Sequence, residues 1–519
     1  MKKLFLTLIL QTCMLTVSAQ EDNRYTLLND LDYSIECQSS MSDGQTPLWL
    51  SANKYGLSSL DRNNGYLRGS VGKPLQNDSS HRWDLGYKLD LVLPYNYTSN
   101  FIVQQAFIEA RWKKGVMTVG SKEWPMELKN NELSSGSQTF GINARPVPQV
   151  RIALPEYWTL PVLNGWFHLK GHIAYGQMTD DRWQRHFTQQ QSKYAKNTKY
   201  HSKAGYVKIG RQTKPLSVEL GLEMASQFGG TSYTEVPGGL QAIHNGDGLQ
   251  AYWHAFIPGG GEVIDSIYSN TSGNNLGSWV LRINYDQPSW SVGLYADHFF
   301  EDHSAMFFLD YDGYGNGSKW NKKEKFRFVL YQLKDMILGI DLKLKNCQWL
   351  QGFVGEYIYS KYQSGPVYHE HTITMSDHIG GKDNYYNHYI QTGWQHWGQV
   401  MGNPLFLSPI YNNDGRIEVK NNRFVAWHFA LCGQPTPQWR YRLRCFWQRG
   451  YGTYDNPFYN PEESVCAFAE AGYSFPHKSV MKGWSLEIAL GKDWGRIYGN
   501  HFGAQLTIKK CGIFQLKTR

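Results

Sequence analysis

In the stretch WDLGYKLDLVL, Trp83 to Leu93, every second residue is apolar or aromatic: Trp83, Leu85, Tyr87, Leu89, Leu91 and Leu93. The residues between them, Asp84, Gly86, Lys88 and Asp90, are polar or small. A period of two means an extended strand with one apolar and one polar face. The same alternation returns in Leu216–Met224 and in Trp484, Leu486, Ile488 and Leu490.

Alternation alone also fits a soluble β-sandwich, so strand length and loop order carry the choice. The runs are mostly eight to twelve residues, near the roughly 9–11 of a tilted membrane strand. Short connections fall near 212–215, 286–289, 346–348, 433–438 and 475–483. Long ones fall near 177–203, 226–278, 298–334, 361–422 and 449–464. Short turns at one end and long loops at the other are the mark of an outer-membrane barrel. Keeping that order places Phe326–Tyr331 in a loop, or in an overlong strand rising above the bilayer. It yields about eighteen antiparallel strands, beginning near 25, 66, 83, 101, 115, 146, 166, 204, 216, 279, 289, 335, 349, 423, 439, 465, 484 and 502. Trp83, Tyr95, Trp439, Trp447 and Trp484 then mark interfacial aromatic girdles.

The remaining composition agrees with export. MKKLFLTLILQTCMLTVSA (1–19) has a charged start, an apolar core and a small-residue end, the layout of a secretory signal peptide. Residues 20–519 show no linker or composition break, so a single outer-membrane barrel domain is expected there. Removing Lys2 and Lys3 takes the formal charge from +8 to +6, mildly basic. Six cysteines remain, at 37, 347, 432, 445, 466 and 511, with neither a zinc spacing nor a dense disulfide framework. Aromatic residues make up 15% of the chain, enough to supply both girdles and the loops.

The strand WRYRLRCFW, Trp439 to Trp447, resembles a basic aromatic surface for nucleic acid when written as a line. As a strand it sends Arg440, Arg442 and Arg444 to one face and the aromatics to the other. In a membrane barrel the apolar set meets lipid and the arginines enter the lumen. No nucleic-acid partner is expected. His168 and Lys170, on the polar face of 166–175, line the lumen in the same way. Two readings of these inward charges stand open. They are neutralised by lumenal carboxylates such as Asp84, Asp90, Glu219, Glu223 or Asp341, or they form a basic lining for an anionic solute or polymer.

Three loop stretches, GYGNGSKW (313–320), DNYYNHYIQTGWQHWGQ (383–399) and GYGTYDNPFYN (450–460), concentrate Tyr, Trp, Asn and Gly. Aromatic rings stack on the C–H faces of sugars, and Asn, Asp and Arg bind their hydroxyls and carboxylates. In YHEH (368–371), His369 and His371 share a face, but with Glu370 and Asp377 they make no diagnostic ligand set. Neither a metal nor a cofactor is expected. No nucleophile elbow, phosphate loop or zincin motif is present, and the chain is read as a non-enzyme.

FGINARPVPQVRIALPEYW (140–158) is neither ordinary strand nor ordinary turn, with Asn143-Ala144-Arg145-Pro146 followed by Pro148-Gln149-Val150. With PLWLSANKYGLSS (47–59), NNGYLRG (63–69), LKDMILGIDLKL (333–344) and VGEYIYSKYQSGPVYH (354–369), it resembles the Wzi-type capsule assembly family. The resemblance implies an eighteen-stranded barrel of the cell outer membrane, occluded by short helical elements. It further implies a surface lectin that anchors or organises capsular polysaccharide. Gly248–Phe256 is a candidate for one such helix. Asn143, Arg145, Gln149, His168, Lys170, Arg440, Arg442 and Arg444 are the expected polysaccharide-binding or lumen-lining residues. The expected partners are surface polysaccharide and outer-membrane lipid, with the protein a monomer. A channel for anionic solutes is the alternative.

Overall fold

The computed structural model describes residues 30–514 apart from 76–81, 162, 212, 258–262, 265–266, 269–272, 302–305, 308, 311–317, 319–326, 329–333 and 370–377. The expected signal-peptide segment 1–19 lies outside the described residues, as do most of 313–320 and the residues Glu370, His371 and Asp377.

Eighteen antiparallel strands close into one barrel. They are β1 (Leu31–Ser42), β2 (Asn63–Lys73), β3 (Trp83–Tyr95), β4 (Ile102–Trp112), β5 (Gly115–Ser121) and β6 (Gln149–Thr159). Then come β7 (Phe167–Gln177), β8 (Lys199–Ile209), β9 (Leu216–Phe228), β10 (Asn274–Asp286), β11 (Trp290–Phe300) and β12 (Met336–Leu344). The last are β13 (Gly352–Tyr359), β14 (Phe424–Gly433), β15 (Trp439–Gly452), β16 (Pro457–Ser474), β17 (Trp484–Gly495) and β18 (Phe502–Phe514). Each pairs with its neighbour, and β1 pairs with β18 from Leu31–Phe514 to Ser42–Gly503. Closure leaves no strand edge unpaired, which hydrocarbon demands.

The outward rows are apolar. Leu85, Leu89 and Leu93 on β3, Leu294 on β11 and Leu443 on β15 are exposed, while Asp90 on the other face of β3 is fully buried. From Trp439 to Trp447 is eight residue steps, about 20 Å of height on a tilted strand, close to the apolar band of such barrels. Trp83 and Trp112 sit ring to ring beside the short-turn end, 6.1 Å apart. Trp427 pairs with Trp447 towards the opposite end.

Arg327–Phe328 pairs with Leu309–Asp310 in a small hairpin outside the barrel. The strand-like run at 326–331 therefore belongs to the connection between β11 and β12. The expected long loop at 449–464 is corrected. Strands β15 and β16 instead climb past the bilayer and meet in a turn at 453–456, since their pairing continues to Gly452–Pro457. Two long connections escape the sequence reading, 43–62 and 122–148. Both fold inward, and their polar, irregular sequences hide that burial.

With 178–198, 360–363 and 383–423 they fill the lumen. Helical content there is small: α1 (Leu48–Ser51) and α2 (Asp181–Phe187). These short helical elements are set in a plug whose bulk is irregular chain held by backbone hydrogen bonds. The candidate helix at Gly248–Phe256 does form, as α3 (Leu249–Phe256), but it lies against the outer wall and takes no part in the plug. Inside, Trp49, Leu50, Trp394, Leu405, Phe406, Phe424 and Phe446 are buried in one apolar cluster. The barrel thus has a packed core where a pore would run.

Candidate functional site

The motif at 140–149 is the central strut of the plug. Asn143 accepts at Oδ1 from the Asn53 amide (3.1 Å) and donates from Nδ2 to the Val400 carbonyl (3.1 Å). Its own carbonyl accepts from Gly56 N at 2.8 Å, and Gly141 N donates to the Met401 carbonyl at 2.9 Å. Three inward segments therefore cross here backbone to backbone. Gly56 has φ +69°, and a Cβ on it would stand 2.5 Å from the Arg145 amide nitrogen, so only glycine fits.

Arg145 is buried, with its guanidinium over the Trp397 ring at 4.2 Å and within 3.3 Å of Thr98 Oγ1 and Ser99 Oγ. Burial pushes it down to about 10, with Asp180 pulling the other way, so it remains cationic at neutral pH. His396 is fully enclosed beside it. The Thr179 amide donates to its Nε2 (3.1 Å), so Nδ1 carries the proton and donates to the Arg145 carbonyl (2.7 Å). Burial holds its pKa below the usual 6.5.

The other expected site residues also serve the interior. Gln149 is buried at the start of β6. His168 bonds Thr159 Oγ1 and the Gly210 carbonyl, both at 2.9 Å, beside the short turns. Lys170 is ion-paired with Glu127 of the plug. Arg440 pairs with Glu487, and Arg442 with Glu470 at 2.7 Å. Arg444 donates to the Glu132 carbonyl and lies 5.1 Å from the Trp49 ring. The expected carboxylates serve other cations: Asp90 takes Arg68 (2.6 Å) and Asp341 takes Arg282 (2.9 Å). The arginine row is met by carboxylates on β16 and β17, because register places Glu470 opposite Arg442. The cavity beside this row, about 350 Å³, is lined by five basic and four acidic side chains. The surplus there is a single positive charge, too little to hold a polyanion.

None of these residues opens onto the outer face; Arg145 comes nearest, bonded to Thr98 and Ser99 of the outer turn 96–101. On the outer face, a polar groove of about 870 Å³ lies over the plug, lined from the 382–389 and 414–420 segments and the β15–β16 turn. Its floor is a lattice of side-chain amides. Asn387 donates to the Asn384 side chain (2.8 Å) and the Val419 carbonyl (2.9 Å), and accepts from Val419 N (2.8 Å). Asn384 donates to Asp455 at 3.2 Å and accepts from Asn422 at 2.6 Å. Tyr385 and Tyr386 are buried below, whereas Tyr389 stands 68% exposed at the rim and Phe458 adds a second ring.

Charge in the groove is nearly balanced. Lys193, Lys382, Arg416 and Lys420 face Glu301, Asp383, Asp414, Glu418 and Asp455. Lys420 is paired with Asp414 at 2.6 Å and Arg416 with Glu235 at 3.2 Å. Lys193 donates to the His388 carbonyl, and burial, opposed by Glu418 and Glu235, pushes it down to about 8. An amide lattice with rings at its rim and little net charge suits a ligand rich in hydroxyls. Two of the aromatic loop stretches, 383–399 and 450–460, converge on it. Lys193 and Glu301 come from other loops and Asn274 from the start of β10, and nothing in their local sequence marks them.

At the other end, a vestibule of about 1160 Å³ opens beside the short turns, with Lys73, Lys88, Lys122, Lys482 and Lys510 among its walls. Among the described residues no group of three His, Cys, Asp or Glu side chains is placed to hold a metal ion, and the six cysteines are unpaired.

No protein-family model matches the chain, and no curated protein matches its sequence. Solved structures do. Wzi, described as a carbohydrate-binding β-barrel of the outer membrane involved in group 1 capsule assembly in Escherichia coli, is 15% identical. The match covers 95% of this chain and 86% of that one, with a TM-score of 0.53. OprD of Pseudomonas aeruginosa is 9% identical over 94% of this chain and 96% of its own, with a TM-score of 0.44. OccAB2 of Acinetobacter baumannii is 8% identical over 95% of this chain and 100% of its own, with a TM-score of 0.47. The likeness to Wzi is one of fold, and with the closed strand register and the lipid-facing band it makes this chain an eighteen-stranded β-barrel of the outer membrane.

Proposed function

We propose that this barrel is a non-enzymatic surface lectin that holds capsular or related polysaccharide at the cell surface, acting as a monomer. The observation that carries the reading is the division of the molecule into a filled interior and an open polar groove above it. A chain that spends four loops on packing its lumen presents its binding chemistry on the outside.

In the groove, the Tyr389 ring offers a flat face to sugar C–H groups, and the amides of Asn384 and Asn387 are held at fixed angles for hydroxyls. Because their geometry is set before binding, less ordering entropy opposes capture. The near-neutral lining favours a hydroxyl-rich polymer over one that depends on dense charge. Likeness to a barrel described as carbohydrate-binding supports the same direction.

The test is binding of purified protein to polysaccharide from the native cell. Tyr389→Ala, which removes an exposed ring and no buried contact, is expected to weaken binding about tenfold, near 1.4 kcal/mol. Arg440→Ala, inside the lumen, is expected to leave it unchanged. Undiminished binding by Tyr389→Ala would remove the groove from the reading.

The second reading, a channel for anionic solutes, draws on the lysine-bearing vestibule. Against it stand the packed core above that vestibule and the neutralised arginine row.

A further inference from the structure

Helix α3 lies on the outside of the barrel. On β7, His172 faces inward against the Phe140 ring of the plug, so Ile173 and Tyr175 face outward. On β8, Tyr206 bonds Glu223 across the lumen wall, so His201 and Lys203 face outward. The helix docks on this outward patch. Tyr252 packs 5.3 Å from the Tyr175 ring and 5.1 Å from Phe228, and Tyr175 Oη donates to the Tyr252 carbonyl at 3.0 Å. Lys203 donates to the Phe256 carbonyl, supplying a cation and a donor to the helix C-terminus, where carbonyls lack partners.

An adjoining face, about a quarter-turn from the docked one, is apolar and uncovered. Leu249, Trp253 and Ile257 recur at intervals of four and so share one stripe; they are 90%, 58% and 49% exposed. The height of the helix is set by strand register. Tyr175 pairs with Val150 and Ile173 with Ile152 on the neighbouring strand β6, and both partners are exposed on the lipid-facing wall. The stripe is therefore level with, and continuous with, the apolar band that meets the bilayer. Gln250 and His254 flank it on one side, as on a helix lying in a membrane interface.

We infer that α3 is an interfacial helix whose Leu249–Trp253–Ile257 stripe inserts among the acyl chains of the outer leaflet, tying the long β9–β10 connection to the membrane surface. Its occupant is lipid, and the exposure of the stripe ends once the bilayer is in place. Such an anchor fixes the base of a 45-residue connection, 229–273, beside the plug.

The test places a nitroxide at Leu249→Cys in a chain whose native cysteines are serine, reconstituted in phospholipid vesicles. Ile152→Cys on the barrel wall serves as the lipid reference, and Asn456→Cys in the outer turn as the water reference. Collision rates with oxygen and with a water-soluble nickel complex are compared. The expected oxygen-to-nickel ratio at 249 matches that at 152 and is several-fold above that at 456. A ratio at 249 equal to that at 456 overturns the inference. An independent reading uses native-cysteine protein: brominated-chain lipids are expected to quench it more than they quench Trp253→Phe, and equal quenching of the two also overturns it.

Discussion

At the scale of single residues, the charges that look functional in the sequence are spent on structure. Arg442 and Glu470 satisfy each other across neighbouring strands, and Arg444 turns to a carbonyl and a ring. A cation in the lumen of a packed barrel must find such partners, because an unpaired buried charge costs several kcal/mol. His396 shows the converse, a neutral group that must stay neutral. Its folded pKa lies below its unfolded value near 6.5, so the unfolded chain binds the proton more readily as pH falls. The stability tied to the neutral ring is complete above about 6.5 and is lost on acidification through and below that value. The urea midpoint of the protein in detergent is expected to fall between pH 7 and pH 5, and to fall less in His396→Asn. An equal pH response in the two proteins would assign the loss to other groups.

At the scale of elements, strands and plug obey different rules. A strand declares itself through its period, and β3, β9, β15 and β17 are each visible in the sequence to within a residue or two of their starts. The inward segments have no period, since each residue answers to a different neighbour. What marks them is local: two prolines, Pro146 and Pro148, just before Gln149, and glycines at the crossings. Gly56→Ala is expected to destabilise by about 3 kcal/mol, from left-handed backbone strain together with the clash at Arg145. The measurement is the denaturant midpoint against wild type, with Gly238→Ala, in open space, as a control for strain without a clash. A shift no larger than that of the control would mean that the crossing yields easily.

At the scale of the whole molecule, the arrangement is a vestibule below, a packed core in the middle and a groove above. Conduction through it requires the core to leave. Purified wild-type protein in planar bilayers is expected to be electrically silent, while deletion of 384–420, which supplies Trp394, Leu405 and Phe406 to that core, is expected to produce steady openings. Steady anion-selective conductance by the intact chain would favour the channel over the lectin.

The sequence by itself determined the barrel. Strand number, alternation and the inward turn of the arginine row all follow from a periodic pattern that lipid imposes on every strand alike. Tertiary structure alone decided what fills the barrel and where a ligand has room. Tyr385 and Tyr389 lie four residues apart in one aromatic run, yet one is buried and the other exposed at the groove rim. Composition could mark that run but could not divide it, because the burial of Tyr385 depends on distant partners such as Asp335 and Phe299. Helix α3 is the same lesson in reverse. The segment stood out in the sequence as a candidate helix, and only the register of β6, β7 and β8 showed which side of the wall it occupies.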